Sequence, residues 1–229
     1  DTLVEWLEST YQFFAGDLPQ YFNYGKTFVE RMKNIPKLKE DGLWPAQIKA
    51  IKNLEKSLAE NRPKAVIQMA TGSGKTFTAI NIIYRLIKYG GVRRVLFLVD
   101  RGNLGKQTLK EFQQFESPVN NFKFTEEYNV QRLTTKNIDK TSRVCICTIQ
   151  RLYSILKGQD LSEEDEDLTI GGMESLFKEP DPITYNKNVP IETFDVIITD
   201  ECHRSIYNLW RQVLEYFDVS IIGLTATPN

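Results

Sequence analysis

Apolar residues in this chain follow two rhythms. Short runs in which almost every position is apolar alternate with longer stretches in which apolar positions recur every three or four residues. The runs Ala65-Val66-Ile67-Gln68-Met69, Val95–Val99, Val144–Cys147, Asp195–Thr199 and Ile221–Leu224 predict buried strands. Between them lie helical patterns. Pro45 suits a first helical position, Ile48, Ile51 and Leu58 form a stripe, and Asn61-Arg62-Pro63 ends it. A second helix is expected over Phe77–Lys88, closed by Gly90-Gly91. A third follows Asp200, with Ile206, Trp210, Val213, Leu214 and Phe217 as its core stripe. Strands that are apolar throughout, separated by helices, imply a mainly parallel sheet covered on both faces, which is a doubly wound α/β fold.

Two segments depart from this rhythm. Residues 1–42 read as a helical N-terminal lead-in, with Leu3, Val4, Leu7, Tyr11 and Phe14 at helical spacing before Gly16, Pro19 and Gly25 interrupt them. Residues 43–229 carry the α/β domain. Within it, 158–190 hold Glu163-Glu164-Asp165-Glu166-Asp167, Gly171-Gly172 and several prolines. That composition predicts a solvated surface insertion or an acidic docking loop for a partner.

Composition narrows the classes. With 229 residues, 41% hydrophobic and 26% charged, the chain suits one sizeable α/β domain with an appendage. No run reaches the roughly 20 apolar residues of a membrane span, and no export signal opens the chain. Three cysteines without a Cys-x-x-Cys pair fit a reducing compartment, so a cytoplasmic location is expected. The net charge of −1 means that any nucleic-acid contact must come from a local patch. The single histidine, His203, argues against a zinc site built on several histidines. A start at Asp1 rather than methionine suggests a segment of a longer protein.

Candidate chemistry begins at Ala70-Thr71-Gly72-Ser73-Gly74-Lys75-Thr76, which joins the first strand to a helix. Glycines there let backbone N–H groups approach phosphate oxygens, and the helix N-terminus adds partial positive charge. Lys75 can reach the terminal phosphates of a nucleotide, and Thr76 can place its hydroxyl on Mg2+. Thr71, Gly72, Ser73 and Gly74 complete the cradle. Met69 stands where the general pattern has its first glycine. At the end of the fourth predicted strand, Asp200 can hold Mg2+ and Glu201 can polarise a water molecule. Two carboxylates after a strand also serve as a helix cap and first-turn residue.

These strings resemble motifs I, II and III of superfamily 2 helicases and translocases: Met69 to Thr76, Asp200-Glu201-Cys202-His203 and Thr225-Ala226-Thr227. That superfamily does not require the first glycine. More narrowly, Leu98 to Gly105, Thr148 to Ser154 and Asp200 to Tyr207 are similar to the motor subunit of type I restriction enzymes, over roughly Leu43 to the C-terminus. The resemblance implies a RecA-like P-loop fold and ATP with Mg2+ as cofactors. It implies a double-stranded DNA translocase half that works with modification and specificity subunits, away from membranes. By position, Gln47 matches the adenine-reading glutamine, and Arg101, Thr148 and Gln150 fall in motifs that contact the nucleic-acid backbone. His203, Thr225 and Thr227 match coupling elements. Trp44 is expected to pack in a buried position, with stacking near the base as the alternative.

The family's second motor domain, with its arginine finger, and its upstream nuclease are expected outside this sequence. No Asp or Glu here is followed two residues later by lysine. The 229-residue chain alone is therefore expected to turn ATP over poorly. Other readings stay open: an RNA or repair helicase of the same superfamily, a P-loop kinase or GTPase, or a scaffold without catalysis. The GTPase reading is weakened because Asn186-Lys187-Asn188-Val189 lacks the aspartate of a guanine-reading motif.

Overall fold

The computed structural model describes residues 26–162, 166, 182–201 and 208–226. His203 and Thr227, the stripe residues of the lead-in, Ile206, and most of the acidic run lie outside them. Within the lead-in, helix α1 (Phe28–Lys33) begins at a reciprocal cap: Thr27 Oγ1 accepts from Glu30 N–H, and Glu30 accepts from Thr27 N–H.

Helix α2 (Pro45–Ala59) opens with proline at its first position, as its missing N–H permits there. Strand β1 (Lys64–Gln68) leads through the glycine loop into α3 (Lys75–Lys88). Strand β2 (Val95–Val99) is followed by α4 (Gly102–Gln114), the short α5 (Phe124–Glu127) and strand β3 (Val130–Arg132). Strand β4 (Val144–Thr148) runs into α6 (Ile149–Lys157), then come β5 (Val196–Thr199), α7 (Asn208–Tyr216) and β6 (Ser220–Thr225). The six strands form one sheet in the order β1-β6-β5-β2-β4-β3, and every pairing is parallel.

The doubly wound reading holds, and its physical basis is visible in the central strands. Alternate residues of a strand face opposite sides, so Val95, Phe97 and Val99 enter one core with Ile80, Ile83 and Phe112. Leu96 and Leu98 enter the other, with Leu152, Ile155, Trp210 and Val213. Two-sided burial is why these strands carry no polar alternation. Burying each Leu, Ile or Phe contributes about 1.5–3 kcal/mol.

Three expectations need correction. Strand β3 was not anticipated, because Val130-Gln131-Arg132 is half-buried at the sheet edge and has no apolar run to signal it. Trp44 is 61% exposed rather than buried: it caps α2 from outside the core. The segment 158–190 is not solvated throughout, because Glu166 is 2% exposed. Its carboxylate accepts from Arg151 Nη2 at 2.7 Å, Arg151 Nε at 3.2 Å and Thr148 Oγ1 at 3.0 Å. One acidic side chain of the insertion is thus drawn inward by a buried arginine.

Candidate active site

All six strands are parallel, so their C-terminal ends share one edge of the sheet, the edge at which such folds bind ligands. Along it, in spatial order, stand the glycine loop after β1, Thr225 ending β6, Asp200-Glu201 after β5, Asp100-Arg101 after β2, and Thr148 ending β4. Segments more than a hundred residues apart in the chain become neighbours there.

The glycine loop is shaped by backbone geometry. Gly72 and Gly74 both have φ of 78°, in the left-handed region that favours glycine. The Ser73 hydroxyl and N–H both donate to the Ala70 carbonyl, at 2.6 and 3.1 Å. Gly74 then starts α3, whose Thr78 hydroxyl donates to the Gly74 carbonyl at 2.9 Å. Gly74 has a second constraint: a Cβ there would sit 2.6 Å from Gln47 Nε2.

Gln47 lies across this loop from α2. It is 5% exposed, its Nε2 donates to the Ser73 carbonyl at 3.2 Å, and its Oε1 accepts from Trp44 N–H at 2.9 Å. The amide therefore ties the N-terminus of α2 to the phosphate loop. The exposed Trp44 ring stands at the same helix end.

Lys75 is the first residue of α3. Its Nζ lies 3.4 Å from Glu201 Oε1, with the side chains 12% and 31% exposed. Glu201 has φ of 52°, a conformation that costs a non-glycine residue on the order of 1–3 kcal/mol and recurs at functional sites. Its N–H donates to Asp200 Oδ1 at 3.0 Å, and the Asp200 N–H donates to the Leu98 carbonyl at 2.9 Å. The β2–β5 pairing thus extends to the first carboxylate. Burial, and then the charge of Glu201, push the Asp200 carboxyl above its ordinary value.

One residue at this site gave no sequence signal. Glu111 of α4 accepts from Gln107 Nε2 at 3.3 Å, and it feels the charge of Asp200. Burial pushes its carboxyl up, and Asp200 adds to that shift. Nothing in the string Leu109-Lys110-Glu111-Phe112 marks it, because only the packing of α4 against β2 and α3 brings it near Asp200.

The remaining sequence-predicted residues divide by exposure. Arg101, preceding α4, is about half exposed and pairs with Asp100 at 3.4 Å. Thr148 and Gln150 are buried, at 0% and 2% exposure. Thr148 Oγ1 caps α6 by accepting from Arg151 N–H at 3.2 Å. Thr225 is buried too, and its carbonyl accepts from Met69 N–H at 2.9 Å, joining the end of β6 to the start of the glycine loop.

The donor set fits Mg2+ accompanied by a nucleotide. Thr76 and Asp200 could supply hard oxygen ligands, and Lys75 could supply a cation for phosphate. Among the described residues no group of three or more His, Cys, Asp or Glu is placed to hold a metal by itself. A Mg2+ ion here would take its other ligands from phosphate and water.

The chain is similar to known proteins. The profile of a family described as "Type III restriction enzyme, res subunit" matches residues 40–229. The type I restriction enzyme EcoKI endonuclease subunit of Escherichia coli (strain K12) is 29% identical over 212 residues, covering 84% of this chain and 16% of that protein. The EcoAI endonuclease subunit of Escherichia coli is 33% identical over 188 residues, covering 80% and 19%. The chain therefore spans less than a fifth of the length of either relative. In fold, it is similar to the Sulfolobus solfataricus SWI2/SNF2 ATPase core in complex with double-stranded DNA. That likeness has a TM-score of 0.53 at 14% identity, over 82% of this chain and 33% of that one.

Proposed function

This chain belongs to the type III restriction enzyme res subunit family, and from that premise we propose that it is the ATP-binding half of an ATP-dependent double-stranded DNA translocase. Its relatives among type I endonuclease subunits and its helicase-like fold support a motor role in a restriction enzyme. The observation that carries the finer reading is the Lys75–Glu201 contact at 3.4 Å. It joins the phosphate loop to the carboxylates of a different strand, as ATP hydrolysis requires.

The chain's residues act as follows in this reading. Backbone N–H groups of the loop and the N-terminus of α3 receive the phosphates. Lys75 exchanges Glu201 for the terminal phosphates. Glu201, released from that ammonium, orients the attacking water and accepts its proton. Thr76 and Asp200 would hold Mg2+, which when bound neutralises charge on the phosphates. Gln47, tied to Ser73, sets the loop's height beside the base and reads adenine once its amide turns outward.

Arg101 is the exposed cation best placed on the shared edge to meet a DNA phosphate, a contact largely independent of sequence. Thr148 and Gln150 contribute by setting the N-terminus of α6. Thr225, bonded to Met69, passes changes in the loop along the edge. His203 and Thr227 are proposed in the same coupling role from their motifs alone. Modification and specificity subunits are the proposed partners.

ATPase assays of the intact protein with double-stranded DNA, single-stranded DNA and RNA test this. Stimulation by double-stranded DNA, lost in Lys75→Ala, is expected. Preferential stimulation by RNA would overturn the DNA assignment.

A further inference from the structure

Strand β3 ends at the shared sheet edge on Arg132, a residue that no motif of the sequence marks. Alternate residues of a strand share a face, so Val130 and Arg132 lie on the same side. Val130 packs against the core that holds Phe112 of α4, and Arg132, at the strand end, reaches past it. Its side chain crosses the first turn of α4, where a Cβ on Gly105 would meet Arg132 Nε at 3.4 Å and Cδ at 3.7 Å. Its far end approaches Glu166, whose Oε2 lies 3.9 Å from Arg132 Nη2. Glu166 in turn holds Thr148 and Arg151 at the start of α6. One arginine thus spans the two chain segments that supply Arg101 and Thr148.

Two guanidinium groups, those of Arg132 and Arg151, face the one carboxylate of Glu166. Its short contacts go to Arg151, at 2.7 and 3.2 Å, and to the Thr148 hydroxyl at 3.0 Å. Arg151 donates as well to the Leu161 carbonyl at 2.7 Å. Arg132 has only the 3.9 Å ion pair, which is longer than a hydrogen bond. Its guanidinium makes no hydrogen bond among the described residues, although its side chain is only 12% exposed. A guanidinium carries N–H donors on every nitrogen, and withdrawing them from water is unfavourable unless an anion accepts from them. A phosphodiester fits, because its oxygens match the planar fork of an arginine. We propose that Arg132 binds a backbone phosphate of double-stranded DNA, on the same sheet edge as Arg101 and without regard to sequence. The inference rests on the reading of this chain as half of a DNA translocase.

The test measures binding of the intact protein to fluorescent double-stranded DNA by anisotropy, at several salt concentrations and with unrelated sequences. Arg132→Ala is expected to weaken binding about 10- to 100-fold at low salt, as for other hydrogen bonds to charged groups. The loss should be the same for every sequence. The slope of log affinity against log salt concentration should fall in magnitude by about 0.9, the share of one phosphate. Arg132→Gln, which removes the charge, should match Arg132→Ala, and Arg132→Lys, which keeps it, should retain most of the slope. ATP affinity without DNA should stay at the wild-type value, and thermal unfolding checks the fold of each variant.

Wild-type affinity and slope in the charge-removing variants overturn the inference. Weaker binding with an unchanged slope also overturns it, since a residue that only braces α4 against Glu166 would act in that way. Should Arg132→Ala not fold, the difference in slope between Arg132→Gln and Arg132→Lys decides the matter. The wild-type protein separates the two levels. If it binds DNA with a salt slope that the variants share, only the role of Arg132 fails. If it does not bind double-stranded DNA at all, the translocase reading fails with it.

Discussion

Lys75 Nζ and Glu201 Oε1 meet at 3.4 Å across 126 residues of sequence. In our reading the contact holds the cation meant for phosphate against the carboxylate meant for water, and each screens the other until a nucleotide separates them. The two residues should then fail differently. Lys75→Ala is expected to lose ATP affinity. Glu201→Gln should keep that affinity and slow hydrolysis about 10²- to 10⁴-fold, the usual range for a lost general base. Calorimetric binding together with single-turnover rates separates the cases, and a Glu201→Gln variant with wild-type turnover would contradict the assignment.

Gly74 is constrained twice, by φ of 78° and by Gln47 Nε2 at 2.6 Å from a would-be Cβ. Gly74→Ala should therefore displace the loop and abolish ATP binding, with a left-handed penalty of about 1–2 kcal/mol on stability. Adding Gln47→Ala removes the crowding and leaves the backbone strain. Binding by the double variant should stay far below wild type.

The buried pair Arg151–Glu166 predicts a stability effect that its surface counterparts do not share. Their side chains are 4% and 2% exposed, so Arg151→Ala leaves the buried carboxylate with only the longer contact to Arg132 at 3.9 Å and the Thr148 hydroxyl, at a cost of up to about 3–5 kcal/mol. The exposed pair Lys52–Glu40 is the control, where Lys52→Ala should cost about 0–1 kcal/mol. Chemical denaturation measures both. Equal effects would show that Glu166 is not held inside.

Cys145 and Cys147 are buried free thiols. Burial raises the Cys145 thiol from 9.0 to about 12, and burial also raises Cys147 well above its ordinary value. Both stay protonated at neutral pH, so iodoacetamide should leave them unmodified in the native protein and label them after unfolding, as read by peptide mass mapping. The folded state holds these protons more tightly than the unfolded chain. Their contribution to stability is therefore complete below about pH 9 and lost as pH rises toward about 12.

Much of this molecule was legible in its residues. The strands Val95–Val99 and Val144–Thr148 announce themselves because burial on both faces demands unbroken apolar runs. Gly72-Ser73-Gly74-Lys75-Thr76 announces a phosphate loop because its chemistry needs left-handed backbone and a cation at fixed spacing. What failed to show was whatever depends on a distant partner. Strand β3 is three residues completed only by pairing with β4. Trp44 looks like a core residue by type and is exposed by position.

The sequence by itself determined the α/β class, the glycine loop and the carboxylate pair, because local patterns and short-range backbone chemistry encode them. The tertiary structure alone decided the strand order that lines the motifs along one edge, and the inward turn of Glu166. It also decided the meeting of Lys75 with Glu201. Those relationships follow from which helix packs on which face, and no spacing along the chain records that.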